Sequence, residues 1–177
     1  MDFKSNSFIV KGGLILIDKN TFCEHIRLHE RAMYYLAFSI VRNESDAGEV
    51  ISESIFRAYK NLNTLKNENS FKPWILRIIH NTAVEMIRKN SKIIPMDEMR
   101  DIGNNGKENE ISTKLDLRNA VESLKPPYRV VVLLFYYENL PVSKIAQITN
   151  TNAVSVKKQL SRARNMLRER LKEDWDL

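Results

Sequence analysis

The residues with most chemistry to offer are bases near the end of the chain. Between 153 and 172 there are seven Lys or Arg and one acid, Glu169. Val156, Leu160, Ala163 and Leu167 fall at steps of four, three and four, one apolar stripe of a helix. Lys157, Lys158, Gln159, Ser161 and Arg162 take the other side, and Ser155 lies in the first turn. Arginine can hold two acceptors of one guanine edge, and lysine can reach a base or a phosphate. Such a face suits a polyanion. The plainer reading, a solvated basic helix in a bundle, leaves the turn that precedes it to coincidence.

A second group is acidic. Asp46, Glu49 and Glu53 stand at i, i+3 and i+7, so they share one helix face, and no base lies between them. In a chain of net charge +6 this stripe points to a protein partner with a basic surface. The plainer reading is favourable charge at a helix N-terminus. A third group is Arg77, Asn81, Glu85 and Arg88, with Lys89 and Lys92 beyond; from 71 to 92 there are five bases and one acid. Trp74 could stack on a base, but it keeps register with Ile78, and the spacing places it in the core.

Helices must position these groups. Asn20 or Thr21 can cap a helix with Phe22, Ile26, His29, Met33, Leu36, Ala37 and Ile40 on one face. Ser45 or Asp46 opens a second, with Ala47, Val50, Ile51, Ile55 and Ala58 inward. The stretch Asn61 to Ser70 holds four asparagines and reads as a loop. Ser70 then caps a third helix whose stripe is Phe71, Trp74, Ile75, Ile78, Thr82 and Met86. Residues 93–112 contain Pro95 and Gly103-Asn104-Asn105-Gly106, with five acids (Asp97, Glu98, Asp101, Glu108, Glu110) against Arg100 and Lys107. They read as a flexible acidic linker of net charge −3.

Beyond the linker, Ser112 can cap a helix carrying Leu117, Ala120, Val121 and Leu124, which Pro126 and Pro127 stop. Val130 to Tyr137 is an unbroken apolar run, read as helix because no strand stands near it to pair with. A short helix from Val142 to Ile148 ends near Asn150, which tolerates the left-handed conformation, and Asn152 can cap the next helix. Short helix, tight turn and a second helix with one apolar and one basic face make a helix-turn-helix. Phe8 to Val10 and Leu14 to Ile17 can be short strands or a tail; residues 1–19 receive no role.

The expected architecture is therefore all-α, with two small helical domains (20–92 and 113–177) joined by the linker 93–112. Five glycines and five prolines in 177 residues agree with helices rather than strands. The single cysteine, Cys23, excludes an internal disulfide and suits a reducing cytosol. Leu14 to Ile17 is far too short for a membrane span, so neither insertion nor a signal peptide is expected. No glycine-rich phosphate loop, paired carboxylates with histidine or nucleophile motif stands out, so no enzyme and no cofactor are expected. His25 and His29 have ligand spacing beside Cys23, but His29 lies on the apolar stripe and no second ligand pair is near, so no metal is expected.

The motifs resemble a family. Asp46-Ala47-x-Glu49-Val50, Phe56-Arg57-Ala58-Tyr59 and Trp74-Ile75-x-Arg77-Ile78-x-x-Asn81 look like the first domain of extracytoplasmic-function (ECF) sigma factors of bacterial RNA polymerase. Ala120-x-x-x-Leu124-x-x-x-Tyr128-Arg129, Ile145-Ala146 and Val156-Lys157-x-x-Leu160-x-Arg162-Ala163-Arg164 look like their second. The resemblance implies that Asp46, Glu49 and Glu53 dock on core polymerase. It implies that the loop with Asn63, Lys66 and Asn69, and the helix with Lys72, Arg77, Asn81 and Arg88, read and melt the −10 element. It implies that Ser155, Lys157, Lys158, Gln159, Ser161 and Arg162 read the −35 element. Partners would be core polymerase, promoter DNA and an anti-sigma factor, in the cytoplasm. The chain departs from the pattern at Ser52 (often glutamine), Asn150 (often glycine), Val154-Ser155 (often Gly-Thr) and Lys158 (usually small and polar). A helix-turn-helix repressor is the alternative; it leaves the acidic stripe and acidic linker without a task.

Overall fold

The computed structural model describes residues 8–11, 14–65, 67–93 and 117–173. Two strands, β1 (Phe8–Lys11) and β2 (Leu14–Ile17), pair antiparallel with Phe8 opposite Ile17 and Lys11 opposite Leu14. Gly12-Gly13 separates them in sequence. The hairpin leads directly into helix α1 (Lys19–Val41), and every described element after it is helical. Residues 94–112 of the linker, Ser112 included, lie outside the described residues, as does Lys66.

Helix α1 is capped by Asp18, whose Oδ1 accepts from Asn20 and Thr21 N–H at 2.7 and 3.0 Å. Asp18, not Asn20 or Thr21, is thus the cap. Those same bonds, with the Thr21 hydroxyl, hold its carboxyl below the usual aspartate value. Helix α2 (Glu44–Lys60) starts one residue before the expected Ser45, because Asn43 Oδ1 accepts from Ser45 and Asp46 N–H at 2.8 and 3.2 Å. Helix α3 (Phe71–Ile93) follows a 3-10 turn, Glu68–Ser70. The three helices pack on one another. Met33, Leu36, Ala37, Val50, Phe71, Ile75, Leu76, Ile79 and Ala83 are buried at their centre. The inward face of α3 is turned toward Leu76, Ile79 and Ala83, leaving Trp74, Ile78 and Met86 half-buried at its edge.

The second set comprises α4 (Leu117–Glu122), α5 (Pro126–Val132), α6 (Val142–Ile148) and α7 (Ala153–Glu173). Pro126 and Pro127 occupy the first positions of α5, where a missing N–H costs nothing. The apolar run is helical, but Leu133–Tyr137 closes as a π-helical turn. Glu138 N–H then bonds Leu133 O at 3.1 Å and Leu140 N–H bonds Leu134 O at 3.0 Å, ending the element with Asn139 at φ 52. The two sets share a core. Val130, Val131, Leu134, Leu140 and Ile145 belong to the apolar cluster that contains Leu36, Phe71 and Ile75, and α1 meets α5 while α3 meets α6.

Two histidines inside this packing make stability depend on pH. Burial keeps the His80 imidazole below its ordinary value of 6.5, with a hydrogen bond donated to the Asn81 side chain opposing in part. Burial, then Lys72 and His25, does the same for His29. Both therefore fold neutral. Between the unfolded value and the lower folded one the unfolded chain binds more protons, so stability falls as pH drops through about 6.5. Thermal melts should show a lower midpoint at about pH 5.5 than at about pH 7.5. His80→Gln should narrow that difference, and an unchanged difference would count against burial of this imidazole.

Candidate nucleic-acid interface

The helix-turn-helix is complete. Thr149 N–H bonds Ile145 O and Thr151 N–H bonds Ala146 O, both at 2.9 Å, and Asn150 between them takes φ 53. This is the left-handed closure expected of asparagine at a helix end. Asn152 Oδ1 accepts from Ser155 N–H at 2.8 Å and caps α7. Val156, Ile145 and Ala163 are fully buried and Leu160 nearly so, which fixes the rotation of α7. Lys157, Lys158, Ser161 and Arg162 are exposed on its outer side, while Ser155 and Gln159 are half-buried at its margins. The sequence marks Val154 only as a departure from the family pattern and gives it no contact; it is 75% exposed in the first turn of α7. An apolar side chain at that place can meet a thymine methyl. Its signal was its position, first turn and off the apolar stripe. Arg164 donates to Leu160 O at 3.3 Å, and with Arg168 it borders an apolar groove formed by Leu117, Val121, Val132 and Leu167.

In the first domain, Arg77, Asn81 and Arg88 are exposed along α3. At 100° per residue they lie within about 40° of one another. Glu85 beside them is engaged by Arg57, whose Nη1 donates to its Oε2 at 2.7 Å. The asparagine-rich loop holds two 3-10 turns, Leu62–Thr64 and Glu68–Ser70. It is pinned by buried Leu65, by Trp74 Nε1 donating to Thr64 Oγ1 at 3.0 Å, and by Glu68 on His25 at 3.3 Å. Asn63 and Asn69 are exposed on the turns. Lys72 is not brought to the Arg77–Arg88 row. It lies about 180° around the helix from Asn81, and its Nζ donates to Glu138 Oε2 at 2.8 Å and Glu138 O at 3.0 Å.

On α2, Glu49 is exposed and Asp46 half-exposed. Glu53 is partly neutralised, since Arg57 Nε donates to its Oε1 at 2.7 Å. That base sits one turn beyond the stripe, so the acidic character concentrates on Asp46 and Glu49. Ala47, Val50, Ser54 and Ala58 hold the adjoining side of α2 in the core. Cys23 is exposed. His25 and His29 stack on the Phe71 ring, with centroids 4.7 and 5.8 Å away.

The sequence profile of sigma-70 region 2 matches residues 25–93, and that of sigma-70 region 4 matches residues 114–167. RNA polymerase sigma factor SigV of Bacillus subtilis is 36% identical over 148 residues, covering 82% of this chain and 89% of that protein. The chain belongs to the ECF family of RNA polymerase sigma factors. ECF sigma factor SigW of the same organism is 25% identical over 171 residues, covering 88% of this sigma factor and 91% of that one. In fold it resembles sigma factor RpoE of Bartonella quintana, solved with anti-sigma factor NepR (TM-score 0.69, 20% identity, 85% of this chain and 96% of that one). It also resembles CnrH, solved with the cytosolic domain of CnrY (TM-score 0.62, 17% identity, 89% and 91%). The sigma factor serves promoter recognition and transcription initiation. The region 2 profile begins inside α1, so the β1–β2 hairpin precedes the matched segment. Among the described residues no helix is long and apolar enough to cross a membrane.

Proposed function

We propose that this sigma factor works as a non-enzymatic, cytoplasmic initiation subunit with three separate surfaces. Asp46 and Glu49, with Glu53 beside them, dock on core polymerase. Asn63, Asn69, Arg77, Asn81 and Arg88, with Lys66, engage the −10 element as single strand. Lys157, Lys158, Ser161 and Arg162, flanked by Ser155 and Gln159, read the −35 element in the major groove. What carries the reading is the complete helix-turn-helix, its basic face open, in a chain that also presents an acidic face on α2. A protein that only bound duplex would gain nothing from that acidic face. An anti-sigma protein is the expected regulator, by analogy with the RpoE and CnrH complexes.

The test is reconstitution with core polymerase and transcription from genomic fragments. Defined transcripts that require the chain support the reading. Failure to bind core enzyme, with tight dimeric binding to a duplex operator, would favour a repressor. Asp46→Lys with Glu49→Lys should weaken core binding at least ~10-fold, the effect of reversing two charges at a complementary surface. Helicity by circular dichroism should not change. Unchanged affinity in a correctly folded variant would remove α2 from the docking surface.

A further inference from the structure

The β1–β2 hairpin stands outside the matched region 2 segment, which begins at residue 25, yet it touches that segment. Strand β2 lies against the 3-10 turn Leu62–Thr64, which carries Asn63. That turn has little of its own to hold it. None of its three residues is buried, and no side chain caps it. Thr64 N–H bonds Asn61 O at 2.9 Å and Leu65 N–H bonds Leu62 O at 3.1 Å. A 3-10 turn this short makes few bonds of poor geometry against the entropy of ordering it. A hairpin alone is as marginal, since two isolated strands are barely stable in water. This one is tethered. Strand β2 ends at Ile17, and Asp18 then caps α1 through Asn20 and Thr21 N–H. A strand fixed to the first domain's longest packed unit thus backs the turn, and two marginal elements support each other.

We propose that the hairpin positions the −10 loop: β2 braces the turn that carries Asn63, so that the loop is ordered before the single strand arrives. Leu14 to Ile17 are positioning residues, acting through that turn. This role rests on the assignment of Asn63 and Asn69 to the −10 surface proposed above. A loop that is only fractionally ordered binds in proportion to that fraction, so a preformed turn binds more tightly. Strand β2 reads Leu14-Ile15-Leu16-Ile17 and offers no charged group to a phosphate, so its effect on DNA runs through the turn.

The test is Ile15→Pro with Leu16→Pro in the full chain. Ile15 stands opposite Val10 and Leu16 opposite Ile9. Successive strand residues turn their N–H groups to opposite edges, so one of two consecutive prolines removes a ladder bond whichever edge pairs. Amide exchange at Thr64 and Leu65 in the free chain should quicken about 10-fold. Affinity of the holoenzyme for a single-stranded −10 oligonucleotide, taken from a promoter found by the transcription test above, should fall by about the same factor. Helicity, core affinity and −35 duplex binding should not change. Ile15→Val with Leu16→Val keeps strand-forming residues and should behave as the natural chain. Unchanged exchange in the proline variant overturns bracing. Lost single-strand affinity with unchanged exchange also overturns it, since the hairpin would then touch DNA itself. Loss of core and −35 binding alongside would make the hairpin part of the general fold, and that too counts against a brace. If Asn63→Ala and Asn69→Ala weaken single-strand binding while the proline variant does not, bracing alone fails. If neither alanine change weakens it, the −10 assignment of the loop has failed and the positioning role falls with it.

Discussion

Arg129→Ala should cost ~3–5 kcal/mol of folding stability, the range for stranding several buried polar groups at once. Arg129 is only 6% exposed, and no carboxylate pairs with it among the described residues. Its fork is satisfied by carbonyls alone: Ser39 O twice, then Glu122 O and Leu124 O at 2.8 and 2.6 Å. Those carbonyls close α1 and the end of α4, places where helical partners run out. Burial, with Arg42 nearby, brings the Arg129 pKa down to about 10, which still leaves it charged at neutral pH. Removing it strands three acceptors and leaves a void, and ~3–5 kcal/mol is a large part of a domain's total stability. Arg129→Lys should recover only part of the loss, because one ammonium cannot span three carbonyls in a fork. Urea unfolding of the three proteins measures it. A loss under about 1 kcal/mol for the alanine variant would mean that water replaces the guanidinium and the network is not structural.

This residue also shows where the sequence stopped being legible. Arg129 stands directly before the apolar run from Val130 to Tyr137. A base at the edge of such a run needs a buried partner, and that was the available signal. Nothing local says that its partner is a carbonyl ninety residues earlier in the chain. The position of Lys72 was missed for a different reason. Counting bases along 71–92 ignores phase, and the helical angle alone separates Lys72 from Asn81. Glu53 is a similar case, since its neutralising Arg57 sits one turn beyond the acidic stripe.

The helix-turn-helix was legible because every level agreed. The buried stripe, the left-handed asparagine and the capping asparagine each allow the same geometry, and the structure has all three. Helix starts were less so. Asp18, Asn20 and Thr21 can all cap, and only the backbone decides which does. The apolar runs at 8–10 and 14–17 left strand and tail open, and they pair as a hairpin ahead of the helical domains.

Arg162→Ala should cost ~1–3 kcal/mol in −35 binding and relax the preference at one or two base pairs. Arg162 and Lys158 are one turn apart, both exposed, on the side of α7 away from buried Val156 and Leu160. That side is the one free to enter a major groove, and the guanidinium can take two acceptors of a single guanine. Arg168 differs. It donates to Asn165 Oδ1 at 3.3 Å and borders the apolar groove with Arg164, about three turns from the start of the reading face. Arg168→Ala should therefore weaken binding evenly across sequences and flatten the salt dependence by about one phosphate contact. The assay is binding of the holoenzyme to a panel of −35 variants at two salt concentrations, with each alanine variant beside the natural chain. Should Arg162→Ala lower affinity equally for every variant while the salt slope falls, Arg162 is a phosphate clamp and the base-reading edge of α7 must lie nearer Val154 and Lys158.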